Sequence, residues 1–178
     1  MSWKRIISRI FFHIQKFLIG YLAYFNSRLY MKFYNRLLSK AGIKFNGTPR
    51  FISKSASFDN FNFVTLGDRL TISSNVSFLT HDYSLTTALI SINEKPKTDT
   101  AVLKEITVGD NVFIGMNCIL LPGTKIGNNV IVGAGSVVRG DVPDNSIIMG
   151  NPAAVVTDIR DYANKMKKKD IKLFADKK

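Results

Sequence analysis

One histidine in this sequence stands where it can move protons. His81 lies in Thr80-His81-Asp82, at a point where a regular pattern gives way to an irregular stretch. Imidazole ordinarily titrates near pH ~6.5, so it can take a proton from an attacking hydroxyl and return it to a leaving group. The chain has 2 histidines in all, His81 and His13. A catalytic zinc held by three histidines is therefore excluded, and no metal site is expected. No serine or cysteine nucleophile motif is present. On residue type alone, a histidine at a turn is more often an ordinary surface residue, so its role depends on what positions it. Asp82 is placed to orient the ring or to meet a substrate. Upstream, Asp59, Asn60 and Asn62 lie together in Asp59-Asn60-Phe61-Asn62-Phe63. Such amides and carboxylates can grip sugar hydroxyls, and equally they stabilise tight corners.

The element that must position these groups is a repeat. From residue 108 to 143 the chain divides into sixes: VGDNVF, IGMNCI, LLPGTK, IGNNVI, VGAGSV and VRGDVP. Val108, Ile114, Leu120, Ile126, Val132 and Val138 head the blocks, and Gly109, Gly115, Gly127 and Gly133 follow four of the heads. The fifth place holds Val112, Cys118, Thr124, Val130, Ser136 and Val142. A period of six fits neither a helix nor a simple strand, so each block reads as one short strand plus one corner. Aliphatic heads stack inward, small fifth residues fit beside them, and Gly, Asn or Asp takes the corner. Three sides close one triangular coil, which predicts that Val108 and Ile126 stack one coil apart. Ile52 and Phe58 read as early heads, and the register is clear again from Leu66, Ile72 and Phe78. Residues 83–105 carry no hexad, and a long excursion inside a solenoid is usually functional.

The hexads, with Thr80-His81-Asp82 and Gly150-Asn151-Pro152-Ala153, resemble the hexapeptide-repeat acyltransferases, most closely the sugar and polysaccharide O-acetyltransferases of the maltose and galactoside type. The resemblance covers roughly residues 45–156. It implies an all-β solenoid, a left-handed parallel β-helix, with an N-terminal helical segment and a C-terminal helix. It also implies an acetyl-CoA-dependent O-acetyltransferase that transfers acetyl directly to a sugar or glycan hydroxyl. In that family's pattern His81 is the general base, and the main-chain N–H of Met116, after Gly115, faces the oxyanion. Coenzyme A lies between neighbouring subunits of a homotrimer. Its matching positions here are Phe113, Gly115, Gly133-Ala134, Arg139-Gly140 and Asn151-Pro152. Phe113 replaces a frequent Trp, Gly140 stands where Lys is usual, and Ala154 where Lys or Arg is common. Arg139 and Arg160 are the substitutes for the missing phosphate contacts. An amino-sugar-nucleotide N-acetyltransferase, an antibiotic acetyltransferase and a non-catalytic β-helix scaffold are the alternatives. A γ-type carbonic anhydrase fails for want of histidines.

Charge divides the chain into three. Residues 1–54 hold 11 Lys or Arg and no acid; residues 55–154 hold 6 basic and 9 acidic residues; residues 155–178 hold 8 basic and 4 acidic. The repeat body is therefore mildly acidic, and nucleic-acid binding is not expected. Residues 1–44 form a basic amphipathic helical segment, rich in Phe, Tyr, Ile and Leu at helical spacing. Its longest uncharged run, 17–27, is 11 residues, short of the ~20 that a bilayer span needs. It can pack on the body or a sister subunit, or residues 1–40 can lie in a membrane interface. Residues 157–178 read as a basic C-terminal helix in which Ile159, Tyr162, Ala163 and Met166 share one side, with Lys167-Lys168-Lys169 as a solvated run. A single cysteine and no signal peptide predict a cytoplasmic protein, peripheral on the inner face of the membrane if the first segment binds lipid.

Overall fold

A computed structural model describes residues 3–168. Its body is a triangular parallel β-helix, whose three sides are stacks of two- to three-residue strands, except for the five-residue strand that ends the second side. The first side carries the inward heads Phe45, Leu66, Val108, Ile126 and Val142. The second carries Ile52, Ile72, Ile114, Val132 and Ile148. The third carries Phe58, Phe78, Leu120 and Val138. Val108 pairs with Ile126 as the period requires. Apart from half-buried Phe45 and Phe58, every one of these heads is buried, and they form one continuous core.

The register departs from the predicted blocks at the last coil. Val142 is not a fifth-place residue but a head, four residues after Val138, paired with Ile126 on the first side. The corner there is shortened, so the following head is Ile148, one step beyond the end of the predicted repeat.

Corner chemistry falls on two different places. The fourth place takes the left-handed backbone: Asn75, Asn111, Asn117, Asn129 and Asn145 have φ between 53° and 58°, Arg69 has 56°, and Gly123 and Gly135 fill the same place. Asn tolerates this region better than most side chains, and here its amide also links coils. Asn111 Nδ2 donates to Asn129 Oδ1 at 2.9 Å, and Asn129 Nδ2 to Asn145 Oδ1 at 3.0 Å. The glycine after the head serves close approach instead. A Cβ on Gly115 would lie 2.6 Å from the Ala134 nitrogen in the next coil.

Two helices close the first coil where one segment was expected. α1 spans Trp3–Phe25 and α2 spans Ser27–Ala41, broken at Asn26, whose side chain accepts from Leu29 N–H and caps α2. α2 buries Tyr30, Met31, Tyr34, Leu37 and Leu38, and Tyr30 OH donates to Ile52 O at 2.7 Å. α1 packs Phe12, Ile19, Leu22 and Ala23 against the same core, and Lys16 Nζ donates to Ala56 O. Its opposite side is a stripe on a seven-residue repeat: Trp3, Ile10, Phe17 and Tyr24 in one row, Ile7, Ile14 and Tyr21 in a second, Phe11, Leu18 and Phe25 in a third. All ten are more than half exposed.

The excursion leaves the third side through His81–Asp82, which pairs antiparallel with Val102–Leu103, and contains α3, Ser84–Ser91. At the far end Ser146–Gly150 and Ala153–Asp158 form an antiparallel hairpin whose turn carries a cis Asn151–Pro152 bond. α4 then runs Ile159–Lys167. It begins two residues later than expected, and its apolar side is not buried. The expected continuation to residue 178, with Lys169 of the basic run, lies outside the described residues.

Candidate active site

Three stretches meet around His81. The shortened strand after Phe78 delivers the imidazole to the corner between the third and first sides. In the coil above, Asp59 follows the head Phe58 at the same corner. His81 Nδ1 lies 3.3 Å from Asp59 Oδ2, with the two side chains 40% and 29% exposed. Tyr83 stands edge-on to the imidazole, ring centroids 5.4 Å apart. An acid on Nδ1 fixes the ring's rotation and leaves Nε2 to face a reacting hydroxyl.

Asp82 does something else. Its Oδ1 accepts from Ser84 N–H at 2.7 Å, which starts α3, and this hydrogen bond holds its carboxyl below the usual range. The carboxylate beside the His81 ring is thus that of Asp59, drawn from the neighbouring coil, and not that of the sequence neighbour Asp82. Asn60 also has a local job: its Oδ1 accepts from Asn62 N–H and caps the short turn of residues 61–63. Asp59, Asn60 and Asn62 nonetheless border a cavity of about 450 Å³ that α1 and α2 close with Phe12, His13 and Lys40.

Four of the other predicted positions lie at another corner. Gly115, Met116, Gly133 and Ala134 occupy the turns between the second and third sides. Among the described residues, neither the Met116 nor the Ala134 N–H meets an acceptor, whereas Met116 O accepts from Gly135 N–H at 2.8 Å. Both donors therefore remain available on an exposed edge. The Gly150–Ala153 turn adjoins the same edge, with Gly150 N–H donating to Ser136 Oγ at 3.1 Å. Phe113 is on the outer surface of the second side, 45% exposed.

Sequence similarity agrees with this architecture. A family model described as bacterial transferase hexapeptide (six repeats) matches residues 105–140. Protein CapG of Staphylococcus aureus is 42% identical over 146 residues, covering 78% of this chain and 82% of that protein. The chain belongs to the hexapeptide-repeat transferases. The putative lipopolysaccharide biosynthesis O-acetyl transferase WbbJ of Escherichia coli K12 is 38% identical over 96 residues, 52% of this chain. The chain spans about half the length of WbbJ, 49%. A solved galactoside acetyltransferase in complex with coenzyme A superposes with a TM-score of 0.57 at 22% identity, covering 92% of this chain and 88% of that one. The fold is the left-handed parallel β-helix expected from the resemblance.

Within this hexapeptide-repeat transferase the basic candidates separate. Arg160 is taken up by Asp158: its Nε donates to Asp158 Oδ1 at 2.9 Å, and a second contact joins its terminal nitrogen to Oδ2. Arg139 and Gly140 sit at the corner between the third and first sides, two coils from His81, where Arg139 borders a surface hollow with Lys104 and Lys125. Apart from Phe113 and Arg160, the predicted set therefore falls mostly on the two edges that flank the third side. His81, Asp59, Arg139 and Gly140 are on one. Met116, Gly133, Ala134, Asn151 and Pro152 are on the other. Sequence reasoning missed Asp59 as the partner of His81. Its signal was available, since both follow closely on third-side heads, Phe58 and Phe78, that pair in register.

Proposed function

We propose that this protein is an acetyl-CoA-dependent O-acetyltransferase acting on a sugar or polysaccharide hydroxyl, with His81 as general base. The observation that carries the reading is the His81 Nδ1–Asp59 Oδ2 approach of 3.3 Å, with Asp59, Asn60 and Asn62 on the border of a cavity whose other walls include Phe12, Leu37 and Phe61. Asp59 holds the ring so that Nε2 accepts the acceptor's hydroxyl proton as its oxygen attacks the thioester carbonyl. The Met116 N–H stabilises the oxyanion, a role that depends on a fixed donor rather than on the side chain. His81 then returns the proton to the departing thiolate. No acyl-enzyme is involved. The names of WbbJ and of the galactoside acetyltransferase support both the acetyl donor and a carbohydrate acceptor.

The working unit in this reading is a homotrimer. One chain keeps its base and its backbone donors on different edges of the third side. That side's outward residues are Ser57, Ser77, Ile119 and Val137, uncharged like those of the second side, whereas the first side presents Lys44, Lys125 and Asp141. Three chains facing a common axis with their third sides would set the His81 edge of each against the Met116 edge of its neighbour. The test is thiol release from acetyl-CoA against a panel of sugars and glycans, with the acetylated product identified by mass. Release that depends on an added glycan and disappears in His81→Ala supports the reading. Glycan-independent release, or none with any acceptor, refutes it.

A further inference from the structure

The outer side of α1 carries ten large apolar side chains that are more than half exposed, and the helix beside it carries a row of like charge. On α1 the rows of Trp3, Ile10 and Phe17 and of Ile7, Ile14 and Tyr21 face away from the β-helix, opposite the side that packs on the core. On α2 the side opposite the buried tyrosines presents Arg28, Lys32 and Arg36, all exposed, at a spacing of four. We infer that the outer faces of α1 and α2 together dock the protein on an anionic lipid membrane, with the α1 stripe seated in the interface and the α2 cations over the headgroups.

Two occupants can cover such a stripe, and the charge chooses between them. A second copy would bring together helices from segments that hold 11 basic residues and no acid, so no cross-helix ion pair could form. An anionic bilayer takes stripe and charge at once: bulky aromatics enter the headgroup boundary and cations meet phosphates. No described helix is long and apolar enough to cross a membrane, so α1 lies along the surface. Because α1 also borders the cavity beside Asp59, through Phe12 and His13, docking would hold that cavity near the bilayer. If the acetyl-transfer reading holds, this favours an acceptor glycan carried on a lipid.

The experiment is co-sedimentation of the full chain with phosphatidylcholine vesicles, with and without about 30% phosphatidylglycerol, across a salt series. Binding should favour the anionic vesicles by at least about 100-fold at low salt and weaken as salt rises. Ile10→Ser with Phe17→Ser and Tyr21→Ser should lower binding to both vesicle types. Arg28→Gln with Lys32→Gln and Arg36→Gln should remove most of the anionic preference, about 100-fold at roughly five-fold per cation. All six sites are exposed, so both variants should keep the parent's melting transition and its turnover of a soluble acceptor. Equal sedimentation of parent and both variants overturns the inference. So does a serine variant whose oligomer mass falls while vesicle binding is unchanged, since a second copy would then cover the stripe. Sedimentation is read without acetyl-CoA, so absent turnover bears only on the proposed function.

Discussion

His81 and Asp59 meet across two coils: Nδ1 of the first lies 3.3 Å from Oδ2 of the second. The pairing of Phe58 with Phe78 on the third side sets this distance, since each functional residue leaves the same side at the same corner. His81→Ala should lower kcat about 10²–10⁴-fold, the usual cost of losing a general base. Asp59→Asn should lower kcat less, about 10–10²-fold, with the acetyl-CoA KM and the melting temperature held. Steady-state kinetics of the two variants check this. A KM change as large as the kcat change would assign Asp59 to binding instead.

The body of the fold is legible in the sequence because its period is a property of packing. Heads must point inward at every side, so Val108, Ile114 and Leu120 announce themselves. The end is less legible, because a corner may lose residues without losing its side. Four residues separate Val138 from Val142, and counting in sixes places Val142 wrongly and misses Ile148. The pairing of Asp59 with His81 could be read from the heads Phe58 and Phe78, but the residues between head and site are harder to place. Irregular corners after Phe58 and Phe78 break the count at the two places where the site is built. The division of the N-terminal segment had a local signal, since Asn26 before Ser27 is a helix start, but the unbroken apolar periodicity on either side masked it.

Glycine at 115 should be required for space, and glycine at 135 should not. A Cβ on Gly115 would lie 2.6 Å from the Ala134 nitrogen and 3.0 Å from Val132 O, both backbone atoms that cannot step aside cheaply. Gly115→Ala should cost about 1–3 kcal/mol. At Gly135, φ is +73° and nothing lies within 4 Å of an added Cβ. Gly135→Asn should be nearly neutral, because Asn fills the same place in other coils. Thermal melting compares the two. Equal losses would show that conformation, not contact, governs both places.

The asparagine ladder should contribute through both its side chain and its backbone. Asn129 has φ of 55° and sits between Asn111 and Asn145, bonded to each. Asn129→Ala loses both bonds and leaves an alanine in the left-handed region, a cost of about 1–3 kcal/mol. Asn129→Gly loses the same bonds without the backbone penalty and should cost less. Denaturant unfolding of the two variants separates the contributions. A glycine variant less stable than the alanine variant would contradict the left-handed geometry.

Acid should loosen the start of α4 at an unusually low pH. Asp158 caps that helix, and hydrogen bonds from the Arg160 side chain and then its backbone N–H hold the carboxyl at about 2, against an ordinary 3.8. A depressed folded value means that the stabilisation is present above pH 3.8 and is lost as pH falls from there through about 2. Amide resonances of residues 159–161 followed by NMR should therefore shift between those limits. In Asp158→Asn that step should vanish. A midpoint near 3.8 in the parent protein would show that Arg160 does not hold the carboxylate.

The division of the site between two edges makes a prediction about mixtures. If His81 of one chain works with the Ala134 edge of the next, two inactive variants should repair one another. His81→Ala lacks the base but keeps the donor edge. Ala134→Trp keeps the base but blocks the exposed turn where the backbone N–H groups face outward. Each variant alone forms only dead sites. When the two are unfolded, mixed in equal amounts and refolded together, a site is intact only where an Ala134→Trp chain lends His81 to a neighbouring His81→Ala chain. Random assembly of a three-fold ring gives that neighbour order at roughly a quarter of the sites, so roughly a quarter of the parent rate should return. Mixing without unfolding should return less, since established trimers exchange chains slowly. A site confined to one chain would give no recovery under either treatment, because every chain would carry its own defect.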